Sequence, residues 1–512
     1  MADDIDDMSV PDLAQDLVSR SETLLQEMEQ LRQRYYAVKG SHQVIPGLAN
    51  LIDAVRQEHR AAQLFLVPRT DDQDGMGGLD ENGSVHVEAH PAEARLRFTN
   101  LPAIERNWDI IKRCRDLTSV EQSIPKVPKL GVKENGGLIV HRSKPGKTKK
   151  LGTDTVFVHA VVDGGAEWLR IVTKDEKRIF MELAAGGWDW DWDSDDEEAD
   201  EEDDAELFED IPLLRTAKEL TDTARQYWHD YHRPRIRILL TRIEEGQSRE
   251  LDRVIQKMRR VGGDDITITV ECAGSAWYVE NPQVDIDMAV VNLVPVGISG
   301  LSPTVLLDTS VLIALASDLS HSSVEVQPWH SIDCKTQIQD EANGINFLRL
   351  QAYPPLRGRR LFCTKEAAQH FRDITSTIAS PTELERARIL FAEGPDEYQK
   401  LSIHPVPADL MLPVRILEEE TDIHAQDLVS NGELPEVAVQ VEKHLLCVPG
   451  NRATHLYGWR TNTAVVTSNR SLAKRLVRMV ESSLDRDYED GPRIHMLPYN
   501  RALSTKGPKS HD

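Results

Sequence analysis

The C-terminal half of the chain repeats one pattern, a short apolar strand followed at once by an amphipathic helix. The pattern occurs as TVLLD before TSVLIALASDLS, as RRLFCT before KEAAQHFRDITSTI, and as TAVVTS before NRSLAKRLVRMVES. Strands that alternate with helices pair in parallel, because a crossover helix returns the chain to the same end of the sheet. The sequence therefore predicts an α/β fold with a parallel sheet flanked by helices over residues 296–500.

Polar residues stand just past the last apolar residue of each of these strands. Asp308 follows the first strand, Glu366 the second and Asn469 the third. Parallel strands end at the same edge of a sheet, and ligands of open α/β folds gather there. We therefore expect these three side chains to converge, although they are far apart along the chain.

Each of these residues also fits a purely structural role at the start of a helix. Asp308, followed by Thr309 and Ser310, has the composition of an N-cap. Glu366 falls in the first turn of its helix, where the helix dipole favours a carboxylate. Asn469 is a common capping residue as well. The residues alone leave the structural and the ligand-binding interpretations open.

The order of these motifs resembles the PIN-domain superfamily, small α/β metal-dependent nucleases that act chiefly on RNA. More narrowly, VLLDTSVLIALASDLSH, LFCTKEAAQHFRDI together with ERARIL, and YGWRTNTAVVTSNRSL resemble the uncharacterised eukaryotic DUF1308 family. That family carries a PIN-like C-terminal half after its own N-terminal region. The resemblance implies a metal-dependent endoribonuclease in which Asp308 and Glu366 bind Mg²⁺ or Mn²⁺ and Asn469 completes the catalytic set.

The chain departs from the PIN pattern at two acidic positions. PIN nucleases usually supply three or four carboxylates, and the last acid stands in T-N-D where this chain has Thr467-Ser468-Asn469. Before the last strand, YGWRTNTA offers Thr461 and Asn462 and no carboxylate. This leaves a second hypothesis, a catalytically degenerate PIN-like module that binds RNA or protein partners as an adaptor. The acids without an assigned role are Asp409, Asp422 and Asp427.

A basic stretch near the C-terminus predicts a nucleic-acid surface. Residues 451–480 hold six Lys and Arg residues and no acid. Arg470, Lys474 and Arg478 recur every four residues along the last helix, and Arg460 lies just upstream. Tyr457 and Trp459 precede this helix and offer rings on which a base could stack. The alternative is a solvated basic helix face.

The N-terminal half predicts a mixed α+β region. Apolar spacing indicates helices over 9–37, 48–66 and 100–117, of which the first two form an antiparallel hairpin. Two β-rich runs around Asp163-Gly164-Gly165 predict a β-hairpin. RIRILLTRI, SRELDRVIQKMRRVG and DITITVEC then read as strand, helix and strand, which is a βαβ unit.

Charge is concentrated in one tract of the chain. The net charge is −25, and residues 189–210 hold fifteen Asp and Glu residues without a Lys or Arg. Such a run repels itself, so we expect a disordered insert. Its tryptophans, Trp188, Trp190 and Trp192, and the N-terminal helices are candidate contacts for a protein partner; an inert solvating insert is the alternative. The basic segment 126–150 is read as a flexible loop or a phosphate-binding segment.

Composition limits the class of protein. The five cysteines form no C-x-x-C pair, no apolar run reaches the length of a membrane span, and the acidic start lacks a signal-peptide core. We therefore expect a cytoplasmic or nuclear protein without a membrane partner. The predicted segments are a helical region at 1–120, a basic loop and hairpin at 121–186, the acidic insert at 187–212, a central α/β segment at 213–295, the PIN-like domain at 296–500 and a flexible tail at 501–512.

Overall fold

A computed structural model of the chain contains two compact units. It describes residues 9–39, 44–66, 96–126, 155–185, 211–295 and 301–504, the last range without 422, 447, 486 and 489. The first unit holds 1–34, 44–227 and 234–294, and the second holds 35–43, 228–233 and 295–512. The basic segment from 127 on, the acidic insert up to 210 and the tail from 505 on lie outside the described residues.

The first unit is built on a mixed five-stranded sheet in the order β1-β2-β3-β4-β5. Strands β1, β2 and β3 pair antiparallel, whereas β3, β4 and β5 pair in parallel. The elements are α1 (Val10–Lys39), α2 (Leu48–Gln63), α3 (Leu101–Ile111), β1 (Ser119–Pro125), β2 (Thr155–Val162), β3 (Glu167–Val172), α4 (Glu176–Ala185), α5 (Pro212–Ala224), β4 (Arg235–Leu240), α6 (Arg249–Arg260), β5 (Ile268–Cys272), α7 (Ala276–Glu280) and α8 (Ile286–Leu293).

The predicted β-hairpin and βαβ unit are both confirmed. The chain reverses between β2 and β3 through Asp163 and Gly164, whose φ angles are 53° and 68°. Glycine adopts this left-handed region without a steric penalty, and aspartate tolerates it better than most residues. Ser248 caps helix α6 by accepting a hydrogen bond from the Leu251 N–H, and α6 connects the parallel strands β4 and β5.

The N-terminal helices pack inside their own unit. Arg20 of α1 forms an ion pair with Glu105 of α3, and the Trp108 indole donates a hydrogen bond of 2.6 Å to Glu27. Ser21 Oγ lies 2.8 Å from His59 Nδ1 of α2. These contacts occupy part of the surface of α1, and a role of the helices in binding a protein partner stays a prediction.

The third predicted helix is shorter than expected. The sequence predicts a helix to residue 117, but α3 ends at Ile111. Beyond it the backbone pairs with the end of α8: the Asp116 N–H donates to the Asn292 carbonyl at 2.9 Å, and Leu117 donates to Leu293 at 2.8 Å. These non-local hydrogen bonds replace the helical ones and turn the chain toward β1.

The second unit confirms the predicted parallel sheet flanked by helices. Its five strands lie in the order β10-β9-β6-β7-β8, and all four pairs are parallel. The elements are β6 (Thr304–Leu307), α9 (Thr309–Ala316), α10 (Asp318–His321), α11 (Ile332–Ala342), β7 (Arg360–Cys363), α12 (Lys365–Ile378), α13 (Pro381–Ala392), α14 (Pro395–Gln399), β8 (Met411–Ile416), α15 (Ala425–Ser430), α16 (Val437–Leu445), α17 (Pro449–Arg460), β9 (Ala464–Thr467), α18 (Arg470–Glu481) and β10 (Ile494–Met496).

Both faces of this sheet are covered. Val305 and Leu307 of β6 point into the main core of the unit, and Leu306 points to the opposite face, where it packs with Tyr457 and Val465. Alternation of this kind is the geometry of a strand that is buried on both sides. The three central strands therefore end at one edge with their last side chains enclosed by helices.

Candidate functional site at the carboxyl edge of the second sheet

Each of the adjacent strands β9, β6 and β7 is followed at once by a capped helix. Asp308 caps α9 by accepting the Val311 N–H at 3.0 Å, and Thr364 caps α12 by accepting the Ala367 N–H at 3.2 Å. Asn469 caps α18 by accepting the Leu472 N–H at 3.3 Å. The helix starts are joined to one another, since Thr309 Oγ1 donates to the Ala367 carbonyl at 3.4 Å. The three helix starts thus lie at one edge of the sheet, and convergence of the three predicted side chains stays a prediction.

Asp308 accepts hydrogen bonds through both of its carboxylate oxygens and is only 1% exposed. Its Oδ1 accepts hydrogen bonds from Ser310 Oγ at 2.6 Å and from the Val311 N–H, and its Oδ2 accepts one from Thr467 Oγ1 at 2.5 Å. Burial raises the pKa of the Asp308 carboxyl, while the hydrogen bonds from Ser310 and Thr467 lower it and offset only part of the effect. Asp308 therefore ties β6 and α9 to the end of β9.

Glu366 is the more accessible of the two predicted metal ligands. It is half-buried in the first turn of α12, and its Oε2 accepts a hydrogen bond of 2.6 Å from Thr421 Oγ1. It borders a cleft of about 640 Å³ that also contains Lys365, Arg372 and Asp373. Helix α17 packs closely against the start of α12 at this cleft. A Cβ on Gly450 of α17 would lie 3.4 Å from the Glu366 carbonyl oxygen.

Asn469 uses its side-chain oxygen within its own helix. Oδ1 accepts both the Leu472 N–H and the Ser471 hydroxyl, the latter at 3.2 Å. The Asn469 N–H in turn donates to Thr467 Oγ1 at 2.9 Å, and Thr467 donates to Asp308. Asn469 and Asp308 are thus linked through Thr467, a residue whose structural role the sequence did not indicate.

These residues do not fit a divalent metal centre as they stand. Mg²⁺ and Mn²⁺ bind ionised, accessible oxygens, whereas Asp308 is buried and both of its carboxylate oxygens already accept hydrogen bonds. No group of three or more His, Cys, Asp or Glu side chains that could hold a metal occurs among the described residues. Of the acids without an assigned role, Asp409 pairs with Arg357 at 2.8 Å, Asp427 is exposed on α15, and Asp422 lies outside the described residues.

The predicted basic residues of α18 share one accessible face. Lys474 and Arg478 are exposed, and neither forms an ion pair with any side chain in the described ranges. Arg470 is half-buried and donates from Nη1 to the Pro498 carbonyl at 2.7 Å. Partial burial and the neighbouring charges of Arg470 and Arg478 lower the pKa of Lys474. The three cations therefore lie close enough to repel one another.

The nucleic-acid prediction requires Arg460, Tyr457 and Trp459 to be accessible, and the structure buries most of each side chain. The Arg460 side chain is 16% exposed and lies 3.5 Å from a Glu419 oxygen, so its charge is largely neutralised. The Tyr457 hydroxyl donates to Glu419, and the Trp459 indole donates to the Asp490 carbonyl at 2.7 Å. Both rings are buried. The expectation that a base stacks on them is wrong, because their faces are already packed inside the unit.

A histidine–carboxylate pair at the start of α15 was missed by the sequence reasoning. His424 Nδ1 lies 3.0 Å from Oε1 of the buried Glu442, whose other oxygen accepts the Ala425 N–H at 3.2 Å. The partners lie 18 residues apart without a recognisable motif, so no sequence signal marks them. Glu442 caps α15 and orients the histidine at the same time.

Comparison with protein-family models, curated proteins and solved structures finds no match to this chain. In the part of the chain that the structure describes, no helix has the length and apolar character needed to span a membrane.

Proposed function

We propose that the second unit is a PIN-like module that binds RNA without cleaving it. The contrast between its two predicted sites supports this proposal. Lys474 and Arg478 are exposed cations that form no ion pair among the described residues, whereas Asp308 is buried and both of its carboxylate oxygens accept hydrogen bonds. Exposed cations gain affinity for phosphates by releasing condensed counterions, and this gain requires no particular base sequence.

Hydrolysis has weaker support than binding. A metal-dependent nuclease needs several ionised oxygens around its ion. Burial favours the neutral form of Asp308, and Asn469 carries no charge. Of the three predicted site residues, Glu366 is the one partly accessible carboxylate. The PIN-like assignment rests on the order of strand, polar cap and helix, which the chain repeats at β6, β7 and β9.

Salt-dependent binding of labelled single-stranded RNA to the full chain tests the proposal. The variant Lys474→Ala with Arg478→Ala removes two exposed cations from α18. The matched control, Arg388→Ala with Lys400→Ala, removes two exposed cations that each pair with a nearby glutamate. If each lost residue contacts one phosphate, the slope of log affinity against log salt falls by about 1.4 in the α18 variant, since each contact to a single strand contributes about 0.7.

The control variant should keep the slope of the unmodified protein. Equal slopes and equal affinities in the α18 variant and the control would overturn the proposal. So would a protein that binds no RNA at low salt.

A ribonuclease is the second candidate, favoured by one observation: Glu366 borders an open cleft at the carboxyl edge of the sheet. Mn²⁺-dependent cleavage of labelled RNA by the unmodified chain, by Glu366→Gln and by Asp308→Asn separates the two candidates. A silent module predicts no cleavage by any of the three. Cleavage that is lost in both variants would establish the nuclease.

A further inference from the structure

The cations of α18 form a row along one side of the helix. Arg470, Lys474 and Arg478, here called the α18 row, are spaced four residues apart on one helix face. At 1.5 Å per residue, successive members are separated by about 6 Å along the axis. The other side of the helix is held in the unit by the buried residues Ala473 and Leu476.

The row has defined ends. Asn469 precedes it as the helix cap, and Glu481 follows Arg478 by three residues. A phosphate that advanced one turn further would approach the Glu481 carboxyl. Arg475 is also exposed, but it follows Lys474 directly and lies off the row. The row therefore offers three consecutive cationic positions.

In the described parts of helices α17 and α18, no exposed ring accompanies the row. Helix α18 has no aromatic residue. In α17 the rings of Tyr457 and Trp459 are 9% and 5% exposed. Proteins that grip single strands by their bases present aromatic faces to them. The described surface of these two helices offers positive charge and no such face.

We infer that the α18 row binds three successive phosphates of one extended polynucleotide strand, whatever its base sequence. The inference rests on the proposed RNA-binding function and specifies its ligand. Six backbone bonds separate successive phosphorus atoms of a polynucleotide strand, so successive phosphates lie several ångströms apart. This distance is comparable to the axial step of about 6 Å between successive cations of the row.

An extended single strand can lie along α18 and place one phosphate at each cation. Base edges and base faces then point away from the protein or into solvent.

Two comparisons test this inference, both by competition against a labelled oligouridylate. The first uses an abasic ribose–phosphate strand of equal length. It should compete within about threefold of oligouridylate, whereas loss of a single stacked base would weaken binding by at least about fivefold. The second uses two strands in which three linkages are charged phosphates and all others are neutral methylphosphonates. In one strand the three phosphates are consecutive, and in the other a methylphosphonate separates each phosphate from the next.

The two methylphosphonate strands have the same charge, so only the spacing of their phosphates differs. The consecutive strand should bind more tightly, with a salt slope steeper by about 0.7, because the alternating strand can place no more than two phosphates on the row. Arg475→Ala, off the row, should preserve this difference, and Lys474→Ala should remove it.

The outcomes separate the inference from the proposed function. Weak competition by the abasic strand, or equal slopes for the two methylphosphonate strands, would overturn the inference while RNA binding stands. Absence of RNA binding, or binding that ignores Lys474→Ala and Arg478→Ala, would overturn the proposed function itself.

Discussion

Replacing Asp308 by alanine should destabilise the second unit whether or not a metal is present. The carboxylate caps α9, receives the Ser310 hydroxyl and receives the buried Thr467 hydroxyl. Alanine can accept none of these hydrogen bonds. A residue that served mainly as a metal ligand would behave differently, because its removal would relieve repulsion and leave the metal-free fold intact or more stable.

The size of the effect follows from the contacts that are lost. Loss of an N-cap costs about 0.5–2 kcal/mol. Thr467 is 0% exposed, and a buried hydroxyl whose hydrogen is left without an acceptor costs about 1–3 kcal/mol more. Ser310 is half-buried and can turn to water, so its contribution is small. We expect a loss of about 2–4 kcal/mol, which lowers the melting temperature of a unit of this size by roughly 4–16 °C.

Differential scanning calorimetry of the full chain with and without Mn²⁺ measures this loss. Asp308→Asn is the matched variant: asparagine keeps an oxygen that caps the helix, so it should lose less than alanine does. An Asp308→Ala protein that melts at the temperature of the unmodified chain would refute the structural role. So would Mn²⁺ raising the melting temperature of the unmodified chain and leaving that of Asp308→Asn unchanged.

Two further predictions concern other groups of the second unit. Arg386 is 1% exposed and donates to Asp318 at 2.6 Å. Arg386→Met leaves the buried Asp318 carboxylate without its cation, so the free energy of unfolding measured in urea should fall by about 3–5 kcal/mol. The exposed Arg388→Met should cost less than about 1 kcal/mol, and equal losses would contradict the prediction. Burial and the charge of Asp230 raise the pKa of Glu481 to about 7. Between the unfolded and the folded pKa of this carboxyl, the native state binds more protons than the unfolded state does, so the stability of the protein falls as pH rises. After discounting for solvent screening, the loss of stability between pH 5 and 8 amounts to about 1–2 kcal/mol. Glu481→Gln should flatten the plot of unfolding free energy in urea against pH, and an unchanged slope would assign the titration to another group.

Local patterns predicted the elements of the second sheet that carry the site. Strands β6, β7 and β9 and the helices after them follow from short apolar runs with a polar residue at each junction. The structural interpretation of Asp308 and Asn469 as caps was also available from sequence, because capping is a contact within four residues. Strands β8 and β10 were not predicted: β8 contains Pro413, and β10 has only three residues.

The sequence by itself determined the α/β class, the parallel order of the central strands and the even spacing of the α18 cations, because these depend on neighbours along the chain. The tertiary structure decided which of those side chains remain accessible. Thr467, 159 residues from Asp308, occupies the second carboxylate oxygen, and Glu419 neutralises Arg460 and binds the Tyr457 hydroxyl. Burial and hydrogen-bond partners of this kind come from distant segments, so no local pattern can reveal whether a carboxylate at a strand end faces a ligand or closes a helix.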